Sequence, residues 1–389
     1  MLITTLRSLR CPRPKKGRAV CGAGLRLEAR QSHGQTRGET RGETRGETGD
    51  VLSGSLECLK CQARFPILAG VAVVVGDVRE YLLAHVKGIA QVVPASDLPP
   101  EYAREMKAAQ AELRTEHIED DLEAERVTSL YLMNHYLTVK GAEGHPWWRP
   151  QAGEGSPLID TLVRQYWDQG PLQRIGRRVR AVSEHGPKCA TLELGCGVGG
   201  LALELGDCVE SYLGVDSSFA SIALARHLVL GAPYPRKIRI PEDLLSGPVS
   251  REIALAPAQA RSGGRIDFVV GELERAPVVQ EAWDVAIALN TIDMLEEPTR
   301  LPELQRGLLK KGGLAIQSCP YIWHESVAKK LRSRLPASHR DSAVAVEWLY
   351  AQAGFKIEHR EDHVPWLFFK HVRQLEIYSV HLFQARLEN

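Results

Sequence analysis

No stretch of this 389-residue sequence is apolar for long enough to span a bilayer: the longest run, Ile67 to Val75, falls far below the roughly 20 residues a crossing helix needs. A surplus of charge is missing too. The 49 Lys and Arg residues stand against 48 Asp and Glu, so no global field exists to hold a polyanion, which argues against a dedicated nucleic-acid binder. The start, MLITTLRSLR, lacks the continuous apolar segment and small-residue cleavage site of a secretory signal. It is Arg-rich and acid-poor enough to suit a mitochondrial transit peptide. It runs directly into a cysteine pattern that reads as structural, however, so cytoplasm is the default location. Without a signal, eight cysteines in a long chain imply reduced thiols or metal ligands rather than disulfides.

What is present reads as an ordinary globular protein, with 44% hydrophobic and 25% charged residues and length for one sizeable domain plus one or two small ones. Three territories emerge. Residues 1–78 hold four cysteines, a local basic excess and a β-rich run, LECLKCQARFPILAGVAVVV, punctuated by Cys58, Cys61, Pro66 and Gly70. Within them RGET occurs three times, Arg37 to Thr48, with almost nothing apolar to offset the entropy of ordering; it reads as a mobile, length-tolerant loop. Residues 79–157 read as a helical linker or lid. From Pro99 to about Val139, Leu113, Ile118, Leu122, Val127, Leu130 and Leu137 recur among charges, and a Gly/Pro/Trp-rich link, Gly141 to Pro157, follows. Residues 158–389 form the third territory, opening with a helical stretch from Leu158 to about Val182.

From Cys189 onward, apolar runs at Ala190–Leu194, Ser211–Val215, Ile266–Val270, Trp283–Leu289 and Leu314–Ser318 are separated by helix-length intervals. That order implies βαβ crossovers and a parallel sheet covered on both faces. Phe355–His359 and Glu376–Ala385 are strand-like with only a loop between them, too little for a crossover helix, so one strand runs reversed. The expected fold is α/β: a doubly wound, mostly parallel seven-stranded sheet with an antiparallel last strand, a small N-terminal β-rich ribbon and a helical linker.

The central motif is TLELGCGVGG, residues 191–200. A strand runs into Gly195, Gly197, Gly199 and Gly200, and a Leu/Ala-rich helix follows. Glycines here let the backbone turn sharply and let a ligand approach where a Cβ would clash. The next strand ends in Asp216, placed to accept hydrogen bonds from a ribose diol. Gly195, Gly197 and Gly200 would also suit a dinucleotide fingerprint. Three features favour a different ligand. Glu193, two residues before the first glycine, would repel a pyrophosphate and attract an ammonium group. Gly271-Glu272 after the third strand puts a polar group where an adenine would lie. LLKKGGLAIQS, residues 308–318, is a helix end, a Gly-Gly turn and a buried strand.

Together these resemble the class I S-adenosylmethionine-dependent methyltransferases over roughly residues 185–320, and the reversed last strand extends the likeness. The resemblance implies that Glu193, Gly195, Gly197 and Gly199 hold the methionine end of S-adenosyl-L-methionine, that Asp216 takes the ribose and that Glu272 lies beside the adenine. Asn290, just past the fourth strand, would face the transferable methyl. A domain that has kept the fold without catalysis is the minority alternative. Where the acceptor carries a proton, candidates for a base follow the fourth and fifth strands: Asn290, Asp293, Tyr321, Trp323 and His324, with His324 or Asp293 preferred. The Asn/Asp-Pro-Pro-Tyr run of nucleic-acid adenine methyltransferases is absent. Asn290-Thr291-Ile292-Asp293 occupies its place, and Pro320-Tyr321 comes one strand later. Aromatic and imidazole groups gather outside the sheet: Tyr131, Asn134, His135, Tyr136, His145, Trp147, Trp148, Trp366, Phe368, Phe369 and His371. They read mostly as a packing seam, a few as a lid. The expected acceptor is small or peptide-like and attacks through N or O; tRNA or protein as acceptor, or a cofactor-binding scaffold, are the rivals. No membrane partner and no oligomeric state are assigned.

Cys58-x-x-Cys61 supplies half of a zinc spacing, and Cys11 with Cys21 the other half, although nine residues separate that pair. The run around Cys58, with Phe65-Pro66-Ile67 and Gly70, resembles the small zinc-ribbon activators of tRNA and protein methyltransferases. The resemblance implies structural zinc on Cys11, Cys21, Cys58 and Cys61, in a fused cap. A ribbon held by Leu56, Phe65, Ile67 and Val71–Val75 without metal is the alternative. Cys189, Cys196, Cys208 and Cys319 read as small buried residues.

Overall fold

Strands that are apolar at every position, as Ala286 to Leu289 are, need cover on both faces, and the computed structural model supplies it. It describes residues 1–15, 19–33, 49–94, 98, 102–108, 111, 130–132, 135–136, 170–184, 186–234, 238–241, 250–253, 265–371 and 374–388. The RGET repeat, the link at 141–157, Asn134, His145, Trp147, Trp148 and most of the helical stretch expected over 99–139 lie outside the described residues.

The N-terminal part is a four-stranded antiparallel sheet of β1 (Leu25–His33), β2 (Asp50–Cys58), β3 (Arg64–Leu68) and β4 (Val71–Ala72). Two short helices follow, α1 (Val78–Ala84), capped by Asp77, and α2 (Val86–Val92). After α3 (Pro171–Glu184) come β5 (Cys189–Leu194), α4 (Gly200–Leu205), β6 (Val209–Asp216), α5 (Phe219–Leu230), a small hairpin of β7 (Ile238–Pro241) and β8 (Ser250–Ile253), then β9 (Arg265–Val270) and β10 (Trp283–Leu289). The chain ends with α6 (Arg300–Leu308), β11 (Leu309–Cys319), α7 (Glu325–Arg334), α8 (Ser342–Gln352), β12 (Phe355–His371) and β13 (Gln374–Leu387).

Seven strands form the main sheet in the order β12-β13-β11-β10-β5-β6-β9. The pairs from β11 through β9 are parallel, and β13 runs antiparallel to both its neighbours. This is the expected sheet, with its last strand reversed. The chain reverses direction across the sheet between β5 and β10, so the carboxyl ends of those strands flank the crevice where such folds take their ligands. Among the described residues, no helix is long and apolar enough to cross a membrane.

Two features depart from the sequence-based reading. Helix begins at Val78, well before Pro99, and β12 is far longer than Phe355–His359. The β11–β13 ladder ends at Cys319 opposite His381, but β12 and β13 stay paired from Val364–Val380 to His371–Gln374. Their outer half therefore rises beyond the carboxyl edge of the parallel strands as a two-stranded ribbon, with Val364, Trp366 and Leu367 buried and Glu361 paired with Arg174 and Arg178 of α3.

The N-terminal sheet is joined to the main one. Past β4, Val73 bridges in parallel to Val270, and the Val74 amide donates to the Val270 carbonyl (2.9 Å), so the chain covers the open edge of β9. Helix α5, wedged between the two sheets, is apolar almost all round, as a helix with cover on every side must be. Its single buried cation, Arg226, pairs with Asp267 of β9 and with Asp50 of β2 (2.6 Å). The Met1 amino terminus joins them, 2.8 Å from Asp50, so charges from four parts of the chain meet where none could be left alone.

Candidate active site

The turn from β5 into α4 is held in a left-handed backbone at Gly195 (φ 76°), Gly197 (φ 52°) and Gly199 (φ 78°). Two of these glycines are also demanded by packing. A Cβ on Gly199 would sit 2.7 Å from the Phe268 ring, and one on Gly195 would sit 2.8 Å from Thr291 Oγ1. Gly197 differs. Its Cβ would meet only His135 Cε1 among the described residues, at an ordinary contact distance of 3.8 Å, so packing does not demand glycine there.

Asp216, at the end of β6, clasps this loop: one carboxylate oxygen accepts the Gly197 amide (2.9 Å) and the other the Ser218 amide (2.8 Å). Burial raises its pKa despite these donors. Glu193 lies beneath the loop, 2% exposed, and accepts a hydrogen bond from the Tyr212 phenol. Burial pushes its pKa up to about 8; the Tyr212 bond opposes that shift and nearby Asp216 adds to it. No Lys or Arg is among the described partners of either acid. The pocket floor is thus acidic without a counter-ion, an arrangement that suits a cationic ligand and opposes a diphosphate.

Residues outside the glycine motif complete the walls. Tyr136 donates its hydroxyl to the Val198 carbonyl (2.5 Å), and His135 Nδ1 accepts the Gly200 amide (3.3 Å) with its pKa pushed down to about 4 by burial. Tyr131 packs edge-on against His135 and against Phe368 of the risen β12 ribbon, and Lys370 lies 4.7 Å over the Phe368 ring. Some of the aromatics expected as seam or lid therefore meet over the glycine loop. Beyond the ends of β6 and β9, Tyr81 of α1 donates to the Ser217 carbonyl (2.6 Å), and the half-buried Glu272 accepts the Gly76 amide (3.3 Å). The N-terminal part thus supplies a wall of this pocket, which no signal in residues 76–81 announced.

Across the crevice, Asn290 sits at the tip of β10 with φ 51°; its amide donates to the Ser318 carbonyl (2.8 Å) and its side-chain oxygen accepts from the Ser318 hydroxyl (3.1 Å). Asp293 is buried and accepts the Ile322 amide (2.8 Å), tying the turn after β10 to the turn after β11. His324 is exposed at the start of α7, its Nδ1 2.9 Å from the Ser326 hydroxyl. Glu193, the glycines, Asp216 and Asn290 are thus brought to one edge of the sheet, while His324 stands on the surface.

Cys11, Cys21, Cys58 and Cys61 converge, their sulfurs all within 4.8 Å of one another. The long Cys11–Cys21 spacing is spanned by a small hairpin: Pro14 bridges Val20, the Cys21 amide donates to the Arg13 carbonyl and the Gly22 amide to the Cys11 carbonyl. Sulfur separations of 3.6 Å (Cys11–Cys61) and 3.7 Å (Cys21–Cys58) are too long for disulfides, and match the roughly 3.8 Å edge of a tetrahedron with about 2.3 Å zinc–sulfur bonds. Burial pushes the Cys58 thiol up, but hydrogen bonds from the Cys61 and Lys60 amides and from the Cys61 and Cys11 thiols together bring it down to about 7. The donor set suits a closed structural zinc site. Of the other four cysteines, Cys189, Cys196 and Cys319 are buried as expected; Cys208, at the end of the α4–β6 turn, is only half-buried.

A family model of the methyltransferase domain matches residues 166–360. No curated protein matches the chain. Among solved structures, the [4+2]-cyclase SpnF aligns at 16% identity over 56% of this chain and 81% of its own, with a TM-score of 0.37. Magnesium protoporphyrin IX methyltransferase of Synechocystis, with bound SAM, aligns at 15% identity over 67% and 97%, TM-score 0.36. A structure of the Trm112 methyltransferase activator complexed with a methyltransferase, from Haloferax volcanii, aligns at 13% identity over 60% and 96%, TM-score 0.36.

Proposed function

We propose that this chain, which belongs to the methyltransferase domain family, carries the methyl group of S-adenosylmethionine to a nitrogen or oxygen of a small or peptide-like acceptor. The observation that carries this reading is the acidic floor, Glu193 and Asp216, with no counter-ion among the described residues, under a loop whose middle glycine, Gly197, is left-handed without packing that demands it. In this reading Glu193, Gly195, Gly197 and Gly199 hold the methionine end, Asp216 takes the ribose, and Glu272 with Tyr81 borders the adenine. Asn290, fixed by Ser318, faces the methyl.

The bound cofactor supplies a carbon already attached to a good sulfonium leaving group. The chain's own work is then to align the nucleophile with that carbon and to keep water out. The risen β12–β13 ribbon with Tyr131 and His135 provides the cover. Asp293 serves as the group that fixes the turn carrying Tyr321, and His324 stands at its solvent side. Met294 (79% exposed) and Ile322 (61% exposed) border this acceptor side, which favours an acceptor with an apolar or peptide-like flank. Residues 1–78 act as a zinc-pinned cap on the 158–389 catalytic part, with 79–157 as lid.

Calorimetry with S-adenosylhomocysteine and NAD, followed by tritium transfer from labelled S-adenosylmethionine into a fractionated cell extract, tests the reading. Binding of the first ligand alone, lost in Gly197→Arg, supports it; tight binding of NAD and none of S-adenosylhomocysteine overturns it. Label lost to RNase or protease would move the acceptor to tRNA or protein. Binding without transfer to any fraction would leave a scaffold. One zinc per chain is expected by metal analysis, absent in Cys58→Ser.

A further inference from the structure

We propose that Tyr321, His381 and Glu347 form a proton relay serving the methyl acceptor, so that the acceptor attacks through a hydroxyl or an N–H whose proton must leave. The inference rests on the methyltransferase reading above and deepens it.

Tyr321 lies two residues past β11, at the carboxyl edge of the sheet and next to the Ser318–Asn290 pair. Its backbone is left-handed (φ 59°), a conformation costly for a bulky side chain. Several contacts impose it. The Tyr321 amide donates to Cys319 Sγ (3.2 Å), the next amide donates to Asp293, and the ring stacks on Trp323 at 5.6 Å. Space-filling alone would not need a tyrosine held this way. What the strained turn achieves is to bring the phenol oxygen to 2.8 Å from Nδ1 of His381.

His381 is 3% exposed, and its Nε2 lies 3.2 Å from Glu347 Oε1 of α8. The carboxylate fixes the tautomer: the ring proton sits on Nε2, and the Nδ1 lone pair accepts from the phenol. The other Glu347 oxygen takes Arg360 (2.8 Å), so the carboxylate is held from both sides. With its hydroxyl hydrogen spent on His381, the Tyr321 oxygen retains acceptor lone pairs. Burial lowers the His381 pKa while Glu347, Asp362 and Asp341 oppose that shift, and burial with Cys319, Tyr350, Glu347 and Asp362 raises that of Tyr321. Neither group therefore carries charge at rest. As the acceptor's oxygen or nitrogen bonds to the methyl carbon, the carbon–sulfur bond breaks and its electron pair stays on sulfur. The acceptor's proton then passes to the Tyr321 oxygen, and the phenol's own proton passes to His381 Nδ1, giving an imidazolium beside Glu347. Tyr321 is the catalytic residue of this step; His381 and Glu347 are positioning residues that act through it.

The test compares the full-length protein with Tyr321→Phe and Glu347→Gln in tritium transfer from labelled S-adenosylmethionine to the extract fractions, between pH 6 and 9. Tyr321→Phe keeps the ring on Trp323, so S-adenosylhomocysteine affinity should stay within about twofold, while transfer falls by about a hundredfold or more at pH 7. The loss should shrink as rising pH ionises the acceptor; a merely structural role would give a loss independent of pH. Nitrogen-15 spectra of the His381 ring give a readout that needs no acceptor: a neutral ring protonated on Nε2 is expected at pH 7. A ring protonated on Nδ1, or a transfer rate unchanged in Tyr321→Phe, overturns the relay alone. No transfer by the wild type would overturn the methyltransferase reading and the relay together.

Discussion

The two sides of the crevice are built by different means. On the side of β5, β6 and β9, the wall is mostly backbone: three left-handed glycines and amides aimed at Asp216, over the buried Glu193. On the side of β10, β11 and β13 it is side chain: left-handed Asn290 and Tyr321, the buried Asp293 and His381, and exposed apolar groups at the rim. A backbone pocket tolerates little change and suits an invariant ligand. A side-chain pocket is retuned by single substitutions and suits the partner that varies from one enzyme to the next.

The largest expected effect falls behind the backbone side. Arg226→Met removes the guanidinium shared by Asp50 and Asp267, leaving Asp267 without its cation and Asp50 with the Met1 amino terminus alone, and urea unfolding should show a loss of about 3–5 kcal/mol. Next, Gly199→Ala should cost about 2–3 kcal/mol, from the left-handed φ together with the Phe268 and Ala225 contacts. Gly197→Ala should cost only about 1 kcal/mol while weakening S-adenosylhomocysteine binding at least tenfold; equal effects of the two would erase the distinction between packing and ligand glycines.

A subtler effect is pH-dependent. Glu193 keeps its proton up to about pH 8 in the folded chain, whereas an unfolded chain loses it near 4.5, so this group lowers stability as pH rises between those values. A cationic ligand favours the carboxylate and expels the proton. S-adenosylmethionine affinity should therefore climb with pH toward 8, by at most about tenfold per unit, and Glu193→Gln should flatten the climb. Smallest of all, Met294→Ser, at a rim position 79% exposed, should change stability by less than about 0.5 kcal/mol and leave cofactor binding intact, while raising KM for the acceptor.

The same contrast explains what the sequence reveals. The glycine motif, the acid before it and Asp216 are contiguous or one strand apart, so their spacing encodes their geometry. The parallel strands announce themselves as apolar runs because both faces are covered. Tyr321, His381 and Glu347 lie far apart in the chain and meet only through the β11–β13 ladder and the packing of α8, which no local pattern encodes. Outer β12, around Glu361 to Trp366, mixes charge, proline and aromatics where it lies beyond the parallel strands, paired with β13 alone and broken by a register shift, so no period marks it. The polar strand β1 escaped for a similar reason: it lies at an edge, paired with β2 alone. The cysteine site was half legible. Cys58 and Cys61 carry a local spacing, but the turn bringing Cys21 back to Cys11 depends on pairing of Pro14 with Val20.

The parallel bridge from Val73 to Val270 has a further bearing on how the molecule behaves in dilute solution. A cover supplied by a separate subunit would come off as concentration fell, exposing an unpaired strand to any passing β-strand. Here cover and covered edge share one chain, so their encounter is intramolecular, and its probability is set by the length of the intervening loops rather than by how much protein is present.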